Sequence, residues 1–300
     1  HHFASLNHPA LSWAESGSLV DSPESAAADA LNRLCGLRQN VGCFAASRER
    51  DDNMHAKITR ALLVTDAARR VYLDGAFSPA TVVIDDGVIA AVEPFDAAAT
   101  TVLPGDAVLL PGLVDSHVHL DEPGRTEWEG FATGTAAAAA GGVTTVVDMP
   151  LNSSPVTTTP EALDAKRQAA VGKLAVDVAY WGGAVPENLG SLRALSEAGV
   201  VGFKCFLSPS GIDEFGHLDT DQLERCLAEL AEFDGLLIVH AEDPAHLRPD
   251  GPLGPRYSDF ETSRPPLSER AAIRRVINAA RRTGARAHIV HVSDGGALDD

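Results

Sequence analysis

The sequence predicts an α/β protein of the TIM-type (β/α)8 barrel class, here truncated to about six strands, with a small N-terminal β-sandwich portion. Three observations carry this reading. A stretch of short strands broken by Asp-Gly turns occupies residues 54–110. From Leu109 the rhythm changes to strand, loop and helix. That unit then recurs six times at roughly 30–50 residues each, the spacing of βα units in a parallel sheet.

Taken in order, residues 1–53 are polar and lack a core pattern. Ala26–Leu37 has a short helical stretch, but the charged run Arg48-Glu49-Arg50-Asp51-Asp52 closes it off. An irregular extension, disordered or foreign to the natural protein, is expected there. Residues 54–110 are expected to form a small β domain, with strands at Ile58–Val64, Arg70–Leu73, Thr81–Ile84 and Val88–Val92. Asp74-Gly75 and Asp85-Asp86-Gly87 supply the turns. Residues 111–300 are expected to form the barrel. Its strands are Leu113–Val118, Val143–Met149, Ala175–Trp181, Val200–Phe206, Leu236–His240 and Ala287–Val292. Helices are expected at Gly130–Ala140, Pro160–Ala170, Leu189–Ala198, Asp221–Phe233 and Ser268–Thr283, with Ser268 as the N-cap of the last. Six strands do not close an eight-stranded barrel. The chain also begins His1-His2 and stops at Asp299-Asp300 after a Gly-Gly turn, so a fragment is expected.

Composition narrows the function. A formal net charge of −18 disfavours nucleic acid and anionic membranes as partners. No apolar run reaches the roughly 18 residues of a membrane span, and no basic segment leads an apolar one as in a secretory signal. The four cysteines, Cys35, Cys43, Cys205 and Cys226, form no C-x-x-C pair, which fits a reducing, cytoplasmic compartment better than a disulfide framework.

Chemistry concentrates at strand ends. In Asp115-Ser116-His117-Val118-His119, positions i and i+2 of a strand point to one side, so His117 and His119 can hold one metal ion together. A bare H-x-H also arises by chance. Lys204 ends the fourth strand, where a bare cation is costly to bury; a snorkelling or salt-bridged lysine is the alternative. His240 ends the fifth strand and is followed by Ala241-Glu242-Asp243. His288 and His291 lie three apart on the sixth, so only one faces the barrel interior, and the choice falls on His291, nearer the C-terminal end. Chance placement of all these groups at comparable strand ends is improbable, and barrel enzymes build their sites at that end.

The string Val114-Asp115-Ser116-His117-Val118-His119-Leu120 through Gly124 resembles the cyclic amidohydrolases of the amidohydrolase superfamily, which include dihydroorotases, hydantoinases or dihydropyrimidinases, and allantoinases. Within them, Glu122-Pro123-Gly124-Arg125-Thr126-Glu127-Trp128-Glu129-Gly130, Asp148-Met149-Pro150-Leu151-Asn152, Gly202-Phe203-Lys204-Cys205-Phe206 and Ser263-Arg264-Pro265 point to the allantoinase branch. His288-Ile289-Val290-His291-Val292-Ser293 matches the motif of the sixth strand. The resemblance covers about residues 57–300.

This resemblance implies two divalent metal ions, usually zinc, bound by His117, His119, Lys204, His240 and His291, with Lys204 carboxylated so that its carbamate bridges them. It implies hydrolysis of the ring amide of allantoin to allantoate by a metal-generated hydroxide. Asn152 becomes a candidate substrate contact, with a turn before Ser153-Ser154-Pro155 as its alternative role. The family's general acid/base Asp, on an eighth strand, is expected beyond residue 300, and a small-molecule substrate and a homo-oligomer, a tetramer, are implied as partners. Asp121 stands where dihydroorotases carry an Arg for a substrate carboxylate, and no Tyr follows Lys204 shortly, as in hydantoinases; both features disfavour those branches. A non-catalytic scaffold of the same fold is the competing reading.

Overall fold

The computed structural model describes residues 64–85, 87–248 and 254–299. The expected extension 1–53, Cys35, Cys43 and the expected strand Ile58–Val64 apart from Val64 lie outside them.

The first layer is an antiparallel meander of β1 (Val64–Leu73), β2 (Ala76–Asp85) and β3 (Val88–Pro94); β4 (Thr101–Val102) adds in parallel to β1, giving the order β3-β2-β1-β4. Asp74 (φ 48°) and Gly75 (φ 84°) form the two-residue turn between β1 and β2, where two left-handed residues match the twist of the flanking strands. Arg70–Leu73 is not a separate strand. It continues β1 through an irregularity between Ala68 and Val71. A bulge shifts the inward phase by one residue, so Ala68 and Val71, three apart, both enter a small core with Ala80, Val82 and Leu109. Leu109 is tied to β1 by Tyr72 N–H donating to Leu109 O and Leu109 N–H donating to Arg70 O, both at 2.9 Å.

A parallel system follows. β5 (Leu113–Val118), β6 (Val143–Asp148) and β7 (Asp177–Tyr180) form one sheet; β8 (Gly182–Gly183), β9 (Phe203–Phe206), β10 (Leu236–His240) and β11 (Arg286–Ile289) form another. β7 and β8 are one stave interrupted at Trp181: the Trp181 amide donates to Asp148 O and the Gly182 amide to Gly202 O, both at 2.9 Å. The staves therefore run in chain order, all parallel. Among the described residues the run is open, with β5 and β11 at its edges.

The connecting helices are α1 (Phe131–Ala140), α2 (Pro160–Ala170), α3 (Leu192–Glu197), α4 (Thr220–Ala231), α5 (Tyr257–Ser263) and α6 (Pro266–Thr283). Thr159 caps α2 and the Asp219/Gln222 box caps α4, each satisfying amides that have no partner inside the helix. In α6 the expected cap fails. Pro265 holds that position, Pro266 starts the helix with its preset φ, and Ser268 is buried, donating its hydroxyl to Asp243 O at 2.9 Å. The main core packs sheet against helices through residues such as Phe131, Leu163, Phe203, Leu227 and Val276. A second cluster, with Val147, Met149, Trp181, Phe215, Ile238 and Val290, includes side chains from several staves. Among the described residues, no helix is long and apolar enough to cross a membrane.

Candidate metal centre

The six residues singled out in the sequence meet on the C-terminal side of the staves, although Lys204 is the second residue of β9, which ends at Phe206, and so does not end its strand. The ring centroids of His117 and His119, at the end of β5 and just past it, lie 5.7 Å apart; His117 and His291 lie 5.2 Å apart, and His291 and His240 4.9 Å. Lys204, on β9, is buried with its Nζ 3.5 Å from His291 Nε2 and 4.7 Å from the Phe206 ring centroid. Phe206 in turn stacks on His240, 4.7 Å away at 20°. The Asn152 amide is 3.3 Å from His119 Nδ1.

One expectation changes in detail. The last stave ends at Ile289 instead of Val292, and His291 sits on left-handed backbone at φ 42°. It reaches the cluster from a strained loop position and keeps an exposed side; His288, on β11, is exposed. Asp121 (φ 59°) and Asn152 (φ 67°) share this conformation. Left-handed backbone is uncommon outside glycine and collects at functional sites.

The electrostatics favour neutral ligand nitrogens. Burial, then the Lys204 charge, lowers His117 and His119 to about 4. His291 falls to about 3 by burial, Lys204 and its neighbouring imidazoles, with solvent on its open side tempering the effect. Burial brings Lys204 down to about 8, and it takes part in none of the ion pairs found among the described residues. Burial raises the Asp121 carboxyl, and its Oδ1 is a buried acceptor without a partner.

Several contributors were not assigned from sequence. Glu242 is buried beside His240, its Oε2 3.2 Å from His240 Nε2; it also accepts from the Ser208 hydroxyl at 3.2 Å and from Arg264. Burial alone would raise this carboxyl, but the bonds from His240 and Arg264 overcome it and bring it to about 2. Beneath the site, Lys166 and Asp148 form a fully buried pair at 2.6 Å; Asp148 also accepts the Leu120 amide, and Lys166 donates to Met149 O. Arg125 donates to Asn152 O at 2.8 Å and to Glu214 at 3.0 Å, with the exposed Trp128 ring 5.4 Å from its guanidinium carbon. Arg264 lies in a string that carries the family resemblance and Glu242 only follows His240 in the chain; nothing in their spacing, 22 residues apart, links them to one another.

Among the described residues, no three His, Cys, Asp or Glu side chains form a group set to hold a metal ion by themselves. Lys204 is the remaining member of the cluster. A buried amine without an acid partner, amid neutral imidazoles, fits a lysine converted to an anionic oxygen ligand, and the donor set of nitrogens and oxygens fits divalent zinc. On those two grounds the residues fit a metal centre.

Residues 108–251 match the amidohydrolase family model. The chain is 56% identical over 225 residues to the allantoinase of Streptomyces avermitilis, covering 73% of this chain and 51% of that protein. It is 46% identical over 248 residues to a probable allantoinase of Oryza sativa subsp. japonica, covering 76% and 49%. The chain thus spans about half the length of the curated relatives it matches. Among solved structures it resembles the L-hydantoinase (dihydropyrimidinase) from Arthrobacter aurescens, at a TM-score of 0.71 and 29% identity over 79% of this chain and 54% of that one. The dihydropyrimidinase from Brevibacillus agri gives 0.67 and 28% over the same shares. The fold is accordingly a TIM-barrel-like α/β fold.

Proposed function

With residues 108–251 an amidohydrolase-family segment, we propose that the protein hydrolyses the ring amide of allantoin to give allantoate. The observation that carries this is the convergence of four imidazoles on one buried lysine, in a chain whose similar proteins include allantoinases. His117, His119, Lys204, His240 and His291 would hold two divalent ions, zinc by preference. When bound, such ions acidify water and polarise a carbonyl oxygen.

The chain's own residues prepare this site. Lowered proton affinity leaves His117, His119 and His291 neutral at pH 7, each with a lone pair to give. A lysine brought to about 8 supplies a larger fraction of free amine than an ordinary one. The ammonium loses one proton to give the free amine, and addition of that nitrogen to CO2 releases a second, so an unpaired cation becomes an anion. Asn152, its amide nitrogen facing His119 and Asp121 and its backbone oxygen held by Arg125, offers its side-chain oxygen to the substrate ring. The buried, partnerless Oδ1 of Asp121 is a second acceptor available to a donor-rich hydantoin.

Full-length protein should release a ureido acid from allantoin, stop after chelation and recover with zinc. A hydantoinase or dihydropyrimidinase activity is the second reading, favoured by the solved structures the chain resembles; faster turnover of dihydrouracil than of allantoin would select it. Absence of bound zinc would instead favour a scaffold role. We assign the protein to the cytoplasm as a homo-oligomer, a reading supported by the buried free thiols of Cys205 and Cys226 for the compartment and by the resemblance for the assembly.

A further inference from the structure

We propose that Glu242, clamped by Arg264 and Ser208, is a positioning residue that fixes the ring orientation and tautomer of His240. The inference builds on the metal-centre reading but is judged separately from it. Stacking on Phe206 defines the plane of the His240 ring. It does not choose between the two orientations related by a half-turn about the Cβ–Cγ bond, since both keep the same plane. The choice comes from Glu242. Its Oε2 lies 3.2 Å from His240 Nε2, and a carboxylate only accepts, so Nε2 must carry the proton and Nδ1 the lone pair.

The same oxygen accepts from the Ser208 hydroxyl, on the loop after β9, and from the Arg264 guanidinium, just after α5. These donors come from separate segments, so the carboxylate cannot swing away without losing both. Arg264 is itself braced, its guanidinium carbon 5.5 Å from the Phe260 ring centroid. The next residue is anchored as well: Asp243 accepts from Arg275 at 2.6 Å and exchanges backbone and hydroxyl bonds with Ser268. The turn after β10 is thus held from α6 and from the end of α5, and His240 inherits that rigidity. A partner on the outer nitrogen of a ligating imidazole raises its basicity and holds its geometry, and its loss weakens metal binding about 10- to 100-fold.

The test uses full-length protein. Nitrogen-15 NMR of the metal-free form reads the His240 tautomer, and competition with a chelator reads zinc affinity. The expected results are an Nε2–H tautomer in the wild type, a mixture in Glu242→Ala with a 10- to 100-fold loss of zinc affinity, and recovery of most of that loss in Glu242→Gln, which keeps an oxygen acceptor. Arg264→Met should weaken zinc binding while leaving Glu242 in place, and it decides together with the wild-type tautomer if Glu242→Ala does not fold. An Nδ1–H tautomer in the wild type, or unchanged zinc affinity in both Glu242→Ala and Arg264→Met, overturns the proposal. If the wild type binds no zinc, the metal-centre reading falls, and the metal-free tautomer still decides the role of Glu242.

Discussion

At the scale of single residues, Lys204 and Lys166 show how environment separates two buried lysines. Lys166 is paired with Asp148 at 2.6 Å and donates again to Met149 O, so its charge is matched inside the core. Lys204 has imidazoles and an aromatic face around it and takes part in no ion pair found among the described residues. Replacing Lys166 by Met strands the Asp148 carboxylate and should cost about 3–5 kcal/mol in urea denaturation, with Lys166→Met/Asp148→Asn recovering part of it. Replacing Lys204 by Met removes an unmatched amine. Its thermal midpoint in the metal-free protein should hold or rise while zinc binding disappears; a large drop in midpoint would mark Lys204 as structural.

At the scale of elements, the site depends on where strands begin as much as on where they end. Lys204 is aimed by β9, and β9 is entered through Gly202. A Cβ at Gly202 would stand 2.8 Å from the Leu236 carbonyl oxygen and 2.6 Å from Trp181. The carbonyl belongs to the neighbouring stave and has little room to yield. Gly202→Ala should therefore destabilise by about 1–3 kcal/mol, read by denaturation, and loosen zinc binding through displacement of Lys204. The Asp219 cap of α4 is a contrast, since its side chain bonds only within the helix start: Asp219→Ala should cost about 1 kcal/mol with zinc affinity kept.

At the scale of the whole molecule, the clustered imidazoles couple folding to pH. Their folded values, near 4 for His117 and His119 and near 3 for His291, lie below the unfolded value of 6.5. On acidification the unfolded chain takes up protons first, so stability is full above about pH 6.5 and falls as the pH passes down toward 4. Denaturation of the metal-free protein at stepped pH should show this loss, and His291→Asn should flatten it. Among the described residues, the outer flank of β5 exposes Leu113 and Val114 beside Leu110. This chain alone should self-associate through that edge, with Leu113→Lys/Val114→Lys shifting light scattering toward monomer.

The strand and helix order was legible because it rests on local period and turn chemistry: Leu113–Val118, Leu236–His240 and Pro160–Ala170 were read with their observed limits. The clustering of His117, His119, Lys204 and His240 was legible too, since all four lie on or just beyond parallel strands whose C-terminal sides a sheet aligns at one mouth. Phase along one strand failed where the backbone itself departs from regular geometry, in the β1 bulge and at left-handed His291. Contacts between distant segments, Glu242 with Arg264 and Ser208 or Asp148 with Lys166, were decided only by tertiary structure. Periodicity reports which face a side chain takes, whereas the identity of its partner depends on how separately formed elements pack, and no local pattern encodes that.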